Sequence, residues 1–307
     1  MFCAVGFSQF SNNELWIQNA DGSFTNRAQA LGLTAGSHGR YRYATFIHAN
    51  NDNRPDIYVA RYTGSCFCDN NGDGVVDYPG DNFPNELWIN QGGSFRHAPE
   101  FGLDLPIGAK KDNATCAQAV DYDRDGDQDL LVCGWKKLYL FENRGGTGFA
   151  NVTSQKGIWG NAADARLVDL DGDNALDLVR LKAREVTVRY GNGSGGFGPA
   201  TVIANLIAGE GLAFGRFDSG TTTDVYVLAS RPRGTGDQPD KILFNGGNRT
   251  FSAQTIPSVR GAGDDVAALD YNQDGRADFV VTNGDRKFAG PVQLFTWRPP
   301  RRGSSAP

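Results

Sequence analysis

The sequence predicts an all-β protein, a β-propeller of four-stranded blades with about six blades visible. Three observations predict it. The first is composition: 40 Gly, 13 Pro, 19 Phe, 10 Tyr and 5 Trp in 307 residues, a profile of short strands and tight turns rather than long helices. The second is an acidic repeat. "DYDRDGDQDLLV" at 121–132 recurs as "DLDGDNALDLV" from Asp169 and "DYNQDGRADFVV" from Asp270, with eroded copies "HANNDNRPDIYV" from His48 and "RFDSGTTTDVYV" from Arg216. The third is spacing. The last aspartates of these units, Asp56, Asp129, Asp177, Asp224 and Asp278, are separated by 73, 48, 47 and 54 residues. The long first interval holds one further copy, "DNNGDGVVDYP" from Asp69, in an extra segment, and a period of about 50 residues marks a propeller or a repeat array.

The elements follow in order within each unit. An apolar strand enters ("CAQAV", "ARLV", "DVAAL"), the acidic loop follows, and a second apolar strand leaves ("DLLVCGW", "DLVRL", "DFVVTNG"). A third strand ends in Asn-Gly or Gly-Gly ("LYLFENRGG", "VTVRYGNGSGG", "ILFNGGNRTF"), and a fourth begins at the Phe after the glycines. "NELWI" at 13–17 and 85–89 is that third strand twice over. Four strands per repeat make a propeller blade. A β-solenoid or a row of sandwich modules is the competing architecture, but a lone blade cannot bury both its faces and needs neighbours.

Three strands precede the first full unit, four complete blades follow, and three strands close the chain, ending with "PVQLFTW". That makes about 22 strands, two short of six closed blades. The propeller spans 1–298, with an insertion at 63–84 between the second and third strands of its blade and a disordered tail at 299–307. Met1 falls where a second strand is expected, which predicts a missing native N-terminus.

The acidic loops carry the chemistry. Five aspartates in nine positions repel one another unless a cation compensates them. In D-x-D-x-D-G-x-x-D, positions 1, 3 and 5 aim oxygens into one concavity, Gly at position 6 allows the bend, and Asp at position 9 closes the cage. Hard oxygen ligands without His or thiol select Ca²⁺ over Mg²⁺. The predicted ligands are Asp121, Asp123, Asp125 and Asp129; Asp169, Asp171, Asp173 and Asp177; and Asp270, Asn272, Asp274 and Asp278. Asp69, Asn71, Asp73 and Asp77 form a complete set in the insertion, and Asn50, Asp52 and Asp56 a partial one. In the Arg216 copy a cation replaces the first ligand and the glycine has moved, so that loop is expected to hold no ion, with Arg216 pairing with Asp218 or Asp224 instead. An EF-hand is excluded, because Val132, Arg180 and Val281 stand where its twelfth-position Glu belongs.

With "GNGSGGFGPA" at 191–200, these loops resemble the FG-GAP/VCBS repeats of integrin alpha-chain propellers, over nearly the whole chain. "NELWINQGGSF" and "GPVQLF" are most similar to the cartilage acidic protein group, although that group's C-terminal extension does not follow Trp297. The resemblance implies a seven-bladed propeller, an extracellular or cell-surface location, and adhesion or carbohydrate contact.

Other features bound the function. Net charge is −5 and pI is about 5.3, which disfavours nucleic acid as a partner. No apolar run approaches about 18 residues, so no membrane span is expected. "MFCAVGFSQF" lacks the basic leader and cleavage site of a signal peptide. Sequons at Asn113, Asn151, Asn192 and Asn248 hint at secretion. Of the five cysteines, Cys66 and Cys68 are too close for a relaxed mutual disulfide, while Cys116 and Cys133 fall nearly opposite across a hairpin as a disulfide or as two buried thiols. His38, His48 and His97 sit in no catalytic motif. The expected function is a calcium-stabilised extracellular interaction module for a protein or glycan ligand, more an interaction protein than an enzyme. The alternative is a propeller lyase or dehydratase acting on sugars, with its site at the channel mouth.

Overall fold

The structure is a computed structural model and describes residues 2–4, 14–33, 40–62, 85–103, 114–134, 137–182, 184–229, 239–256, 263–283 and 292–296. All its described regular elements are β-strands except a single 3₁₀ turn at Pro99–Phe101. A three-stranded sheet joins β1 (Phe2–Ala4), β2 (Glu14–Gln18) and β3 (Phe24–Asn26). Four sheets of four antiparallel strands follow. They comprise β4 (Arg40–Ile47), β5 (Asp56–Tyr62), β6 (Glu86–Asn90) and β7 (Phe95–His97); then β8 (Ala114–Val120), β9 (Asp129–Gly134), β10 (Leu138–Asn143) and β11 (Phe149–Asn151). Next come β12 (Asp164–Val168), β13 (Asp177–Lys182), β14 (Glu185–Arg189) and β15 (Thr201–Asn205); then β16 (Gly211–Gly215), β17 (Asp224–Leu228), β18 (Asp240–Asn245) and β19 (Phe251–Ile256). A second three-stranded sheet joins β20 (Gly263–Leu269), β21 (Asp278–Asn283) and β22 (Gln293–Phe295).

The fold is therefore an all-β propeller of four-stranded blades with 22 strands among the described residues. The expected blade count is corrected. Among the described residues four sheets are complete blades and the first and last carry three strands each, fewer than the six or seven full blades expected. The shortfall lies in the two end sheets, each of which has three strands among the described residues.

The chain divides into two compact units, residues 1–162 with 194–196, and residues 163–193 with 197–307. In each unit the second strand of a blade is apolar at consecutive positions, because both of its faces are covered. On β5, Ile57 and Val59 join a cluster with Leu15, Trp88 and Phe95. The alternate residues Tyr58 and Ala60 join Ile47, Leu87, Leu130 and Val132. On β17, Val225 and Val227 pack with Val179, Leu181 and Val188, while Tyr226 and Leu228 pack with Val266, Phe279 and Val281. Successive side chains of a strand point to opposite faces, so each such strand feeds two inter-blade cores. Every fully buried Val, Leu or Phe there contributes about 1.5–3 kcal/mol.

Register places Cys116 directly opposite Cys133 on β8 and β9, and the two form a disulfide, with both residues fully buried. Of the earlier expectations, the insertion 63–84 with Asp69, Asn71, Asp73 and Asp77, the cysteines Cys66 and Cys68, His38, Asn113 and the tail 299–307 lie outside the described residues. No helix among the described residues is long and apolar enough to cross a membrane.

Candidate metal centres

Each acidic loop joins the first and second strands of its blade, and one residue fixes it in place. The ninth-position aspartate is fully buried in all five copies, Asp56, Asp129, Asp177, Asp224 and Asp278. One carboxylate oxygen accepts the backbone N–H seven residues back, from Ala49, Tyr122, Leu170, Phe217 and Tyr271, at 2.8–3.1 Å. In four copies the other oxygen accepts the N–H at the end of or just beyond the third strand, from Asn90, Asn143, Gly191 and Asn245, at 2.8–2.9 Å. The loop is thereby closed at its base and tied to the third strand before any ion is considered. Charge-assisted bonds to buried N–H groups are the stronger class of hydrogen bond. The Arg216 copy, whose first ligand is replaced by a cation, keeps this aspartate intact.

Above that base the loops differ. In 121–129, Asp121 accepts N–H groups from Arg124 at 2.7 Å and Gly126 at 3.1 Å. Ligand oxygens of Asp121, Asp123 and Asp129 lie within 4.8 Å of one another. Asp125 stands outside that group, exposed, and accepts the Asp127 N–H at 2.9 Å. Asp123 Oδ1 is buried without a hydrogen-bond partner. An unmatched carboxylate oxygen in such a place costs free energy unless a cation meets it.

In 169–177 the oxygens of Asp169, Asp171 and Asp177 converge in the same way. Asp169 accepts N–H groups from Gly172 at 2.8 Å and Asn174 at 2.9 Å, and Asp173, exposed, accepts from Ala175 at 2.7 Å. Asp171 accepts Arg249 Nε at 2.9 Å and pairs with Arg249 Nη2 at 2.7 Å.

In 270–278 the turn bonds are the same in kind, from Asp274 and Gly275 to Asp270 at 3.0 and 2.9 Å, and from Arg276 to Asp274 at 3.0 Å. Asp270, Asn272 and Asp274 are all exposed, and the third position is a carboxamide where the other two loops have a carboxylate. Positive φ at the fourth and sixth positions recurs in four loops, at Asn51 and Asn53, Arg124 and Gly126, Gly172 and Asn174, and Gln273 and Gly275. Asn or Gly can hold that conformation at either place, so the glycine predicted only at position 6 sits at position 4 in the 169–177 loop.

The two weaker copies each carry an arginine and use it differently. Asp52 pairs with Arg54 Nη2 at 2.5 Å and accepts the Asn50 amide at 2.9 Å, so Asn50, Asp52 and Asp56 come with a built-in cation. Arg216 does not pair with Asp218 or Asp224, which corrects that expectation. It donates instead to the Gly275 carbonyl at 2.7 Å, because the loop 270–278 lies within its reach while Asp224 is already saturated by backbone donors.

Burial pushes the Asp129 carboxyl up to about 7, opposed by the N–H groups of Asn143 and Tyr122. Burial likewise pushes Asp177 up to about 6 against the N–H groups of Gly191 and Leu170. Asp123 is raised by burial and then by the Asp125 and Glu142 charges. Such carboxyls give up their protons readily to a divalent ion and reluctantly to water. The donor set, all carboxylate oxygen with one unmet buried acceptor, fits a hard cation at 121–129.

Sequence reasoning missed several participants. Glu142 accepts Tyr122 Oη at 2.9 Å and pairs with Arg144 at 3.0 Å. Lys156 stands 3.9 Å from Glu142. Asn143 donates its amide to Ala49 O and Gln128 O, and Asn51 donates to Asp127 at 2.5 Å. Only the Asn-Gly ending of the third strand carried a signal for any of them. His48 opens its loop, its backbone N–H on Gln128 Oε1 at 2.8 Å, and the His97 ring packs against Trp88 at a tilt of 45°. They belong to separate elements and share no site.

Residues 121–180 match the model of the FG-GAP-like repeat. No curated protein sequence matches the chain. Among solved structures, a lectin of Agrocybe aegerita, studied for specific recognition of non-reducing terminal N-acetylglucosamine, is similar at TM-score 0.55 and 17% identity over 92% of this chain and 74% of its own. The Dos1 propeller is similar at TM-score 0.45 and 10% identity, over 94% of this chain and 63% of that one. At such identities the likeness is one of fold.

Proposed function

We propose, from a β-propeller chain whose residues 121–180 match the FG-GAP-like repeat, that the protein is a calcium-stabilised interaction module working outside the cell and contacting a glycan or protein ligand. The observation that carries the calcium reading is the 121–129 loop, where three carboxylates converge and the buried Asp123 Oδ1 has no donor. Asp121, Asp123 and Asp129 would hold the ion, with Asp125 reachable from the rim. The 169–177 and 270–278 loops are weaker candidates, because Arg249 engages one and the other is more open.

The Cys116–Cys133 disulfide supports an oxidising compartment, since intracellular thiols are usually kept reduced. Glycan is the ligand class to test first, because the N-acetylglucosamine-recognising lectin shares the fold, although folds of this kind host many functions. Trp159 and Tyr271 are exposed at 65% and 62% and offer flat apolar faces of the sort that stack on sugars. The test is calorimetric calcium titration together with a glycan array run in calcium and in chelator. Calcium uptake that disappears in Asp123→Asn, and array signals lost in chelator, support the reading; absence of calcium uptake overturns it.

A further inference from the structure

The two loops whose carboxylates converge differ in what overhangs the third-position aspartate. Counted back from the phenylalanine that ends each Gly-rich turn, Phe197 and Phe251, the same position is Gly195 in one turn and Arg249 in the other. Gly195 lies against the 121–129 loop. A side chain begun there would meet Asp123 Cβ at 2.8 Å, Lys156 Nζ at 2.9 Å and the Tyr122 ring at 2.9 Å. Its φ of +73° is also one that side chains seldom adopt. Glycine therefore leaves Asp123 walled in, with Oδ1 buried and unmet. Lys156 pairs with Glu142 at 3.9 Å, and its charge also acts on Asp123, but it makes no hydrogen bond to Oδ1.

Arg249 does the opposite at 169–177. Its Nε and Nη2 both reach Asp171 Oδ2, at 2.9 and 2.7 Å, and the guanidinium lies 3.9 Å above the Tyr190 ring. Stacking on an aromatic face orients the planar group and makes the pairing less costly in side-chain entropy. Asp171 thus already has its counter-cation, carried on the chain.

The geometry points to Arg249 as a tethered cation that competes with calcium for Asp171, so that the chain holds two calcium loops of graded affinity. The inference rests on the calcium reading of these loops. At low calcium the ion occupies 121–129 while Arg249 closes 169–177. At higher calcium the ion displaces the guanidinium from Asp171, which releases the tip of the 245–251 turn, still anchored at its base by Asn245 on Leu170 O, and uncovers the Tyr190 face. The second loop then acts as a calcium-dependent clasp between adjacent strand connections of the same unit.

The experiment is calorimetric calcium titration of wild type, Asp123→Asn, Asp171→Asn, Arg249→Gln and Arg249→Lys, with circular dichroism melting to confirm that each is folded. The site lost in Asp171→Asn should be the weaker of the two in wild type. Arg249→Gln should tighten it by roughly tenfold, the combined effect of removing an exposed ion pair and a repelling charge, and leave the Asp123-dependent site unchanged. Arg249→Lys, which keeps the charge but not the planar fork, should fall between. An Asp171-dependent affinity that is unaltered in Arg249→Gln, or already the tighter in wild type, overturns the inference while calcium binding itself stands. No calcium uptake by wild type overturns the calcium reading, and this inference with it.

Discussion

Both oxygens of the buried Asp224 accept backbone N–H groups, from Phe217 and from Asn245 at 2.8 Å each, whereas the exposed Asp125 accepts only that of Asp127. The two aspartates occupy one repeat pattern and do different work. Asp224→Ala should cost about 3 kcal/mol or more, because two buried donors lose a charged acceptor, and the loss should be the same in calcium and in chelator. Asp125→Ala should cost less than about 1 kcal/mol in chelator, as surface changes usually do, yet reduce the stabilisation that calcium provides. Urea denaturation of both variants with and without calcium decides this, and an equal calcium dependence in the two would refute it. The raised carboxyls add a pH dependence. Asp129 at about 7 and Asp177 at about 6 lie above the ordinary value of 3.8, so the folded chain binds protons that the unfolded chain has released. Their contribution in the metal-free protein is present below about 4 and is lost as pH rises through about 7. Calcium held as proposed would have to displace the same protons, so its effect on the melting temperature should be larger at about pH 8 than at about pH 5.5. Melting curves at the two values check the sign.

Blades are held to the loops by asparagines at the ends of their third strands. Asn245 is buried and donates to Leu170 O at 2.6 Å and Thr223 O at 3.1 Å while accepting from Gly247 at 3.0 Å. Asn90 makes fewer bonds, to Pro55 O at 3.1 Å and from Gly92 at 2.9 Å. Asn245→Ala should therefore cost about 3 kcal/mol and Asn90→Ala about 2 kcal/mol, at about 1 kcal/mol per bond; chemical denaturation ranks them. In the fourth sheet a glycine stands at the corresponding place, since a Cβ on Gly191 would meet Leu176 O at 2.2 Å. The Cys116–Cys133 bridge belongs to the same scale. It spans 17 residues of sequence, and a loop of that length contributes at most about 3 kcal/mol through the unfolded chain. Mass mapping should recover the cross-linked peptide, and the Cys116→Ala, Cys133→Ala double variant should unfold at lower urea; recovery of both thiols alkylated without reduction would refute the bridge.

Across the molecule, blades are stabilised by their neighbours, since β5 and β17 each bury side chains on both faces. An ion that pins one loop therefore supports adjoining blades within its unit. At free calcium about 100 times Kd, each filled site adds about 2.7 kcal/mol if the unfolded chain binds none. Chelator should lower the melting temperature of calcium-loaded protein, and Arg249→Gln should enlarge that difference by making the second loop a full site. An unchanged melting temperature in chelator would show that the loops are closed by their own hydrogen bonds alone.

The sequence by itself determined the all-β class, the four-stranded repeat and the opposition of Cys116 and Cys133 across a hairpin, while leaving their bond open. Each of these follows from local periodicity: strands alternate, turns need Gly and Asn, and a hairpin fixes its register by counting outward from the loop. It also placed the acidic loops, because ligand spacing within nine residues is a local property. Tertiary structure alone decided how the loops differ. Arg249 lies 78 residues from Asp171, and Gly195 is likewise far in sequence from Asp123, so no spacing rule connects them. The double duty of the ninth-position aspartates was equally hidden, since Asn143 and Asn245 reach them only after β10 and β18 have paired into their blades. A carboxylate's role depends on which donors surround it, and chain packing supplies those donors.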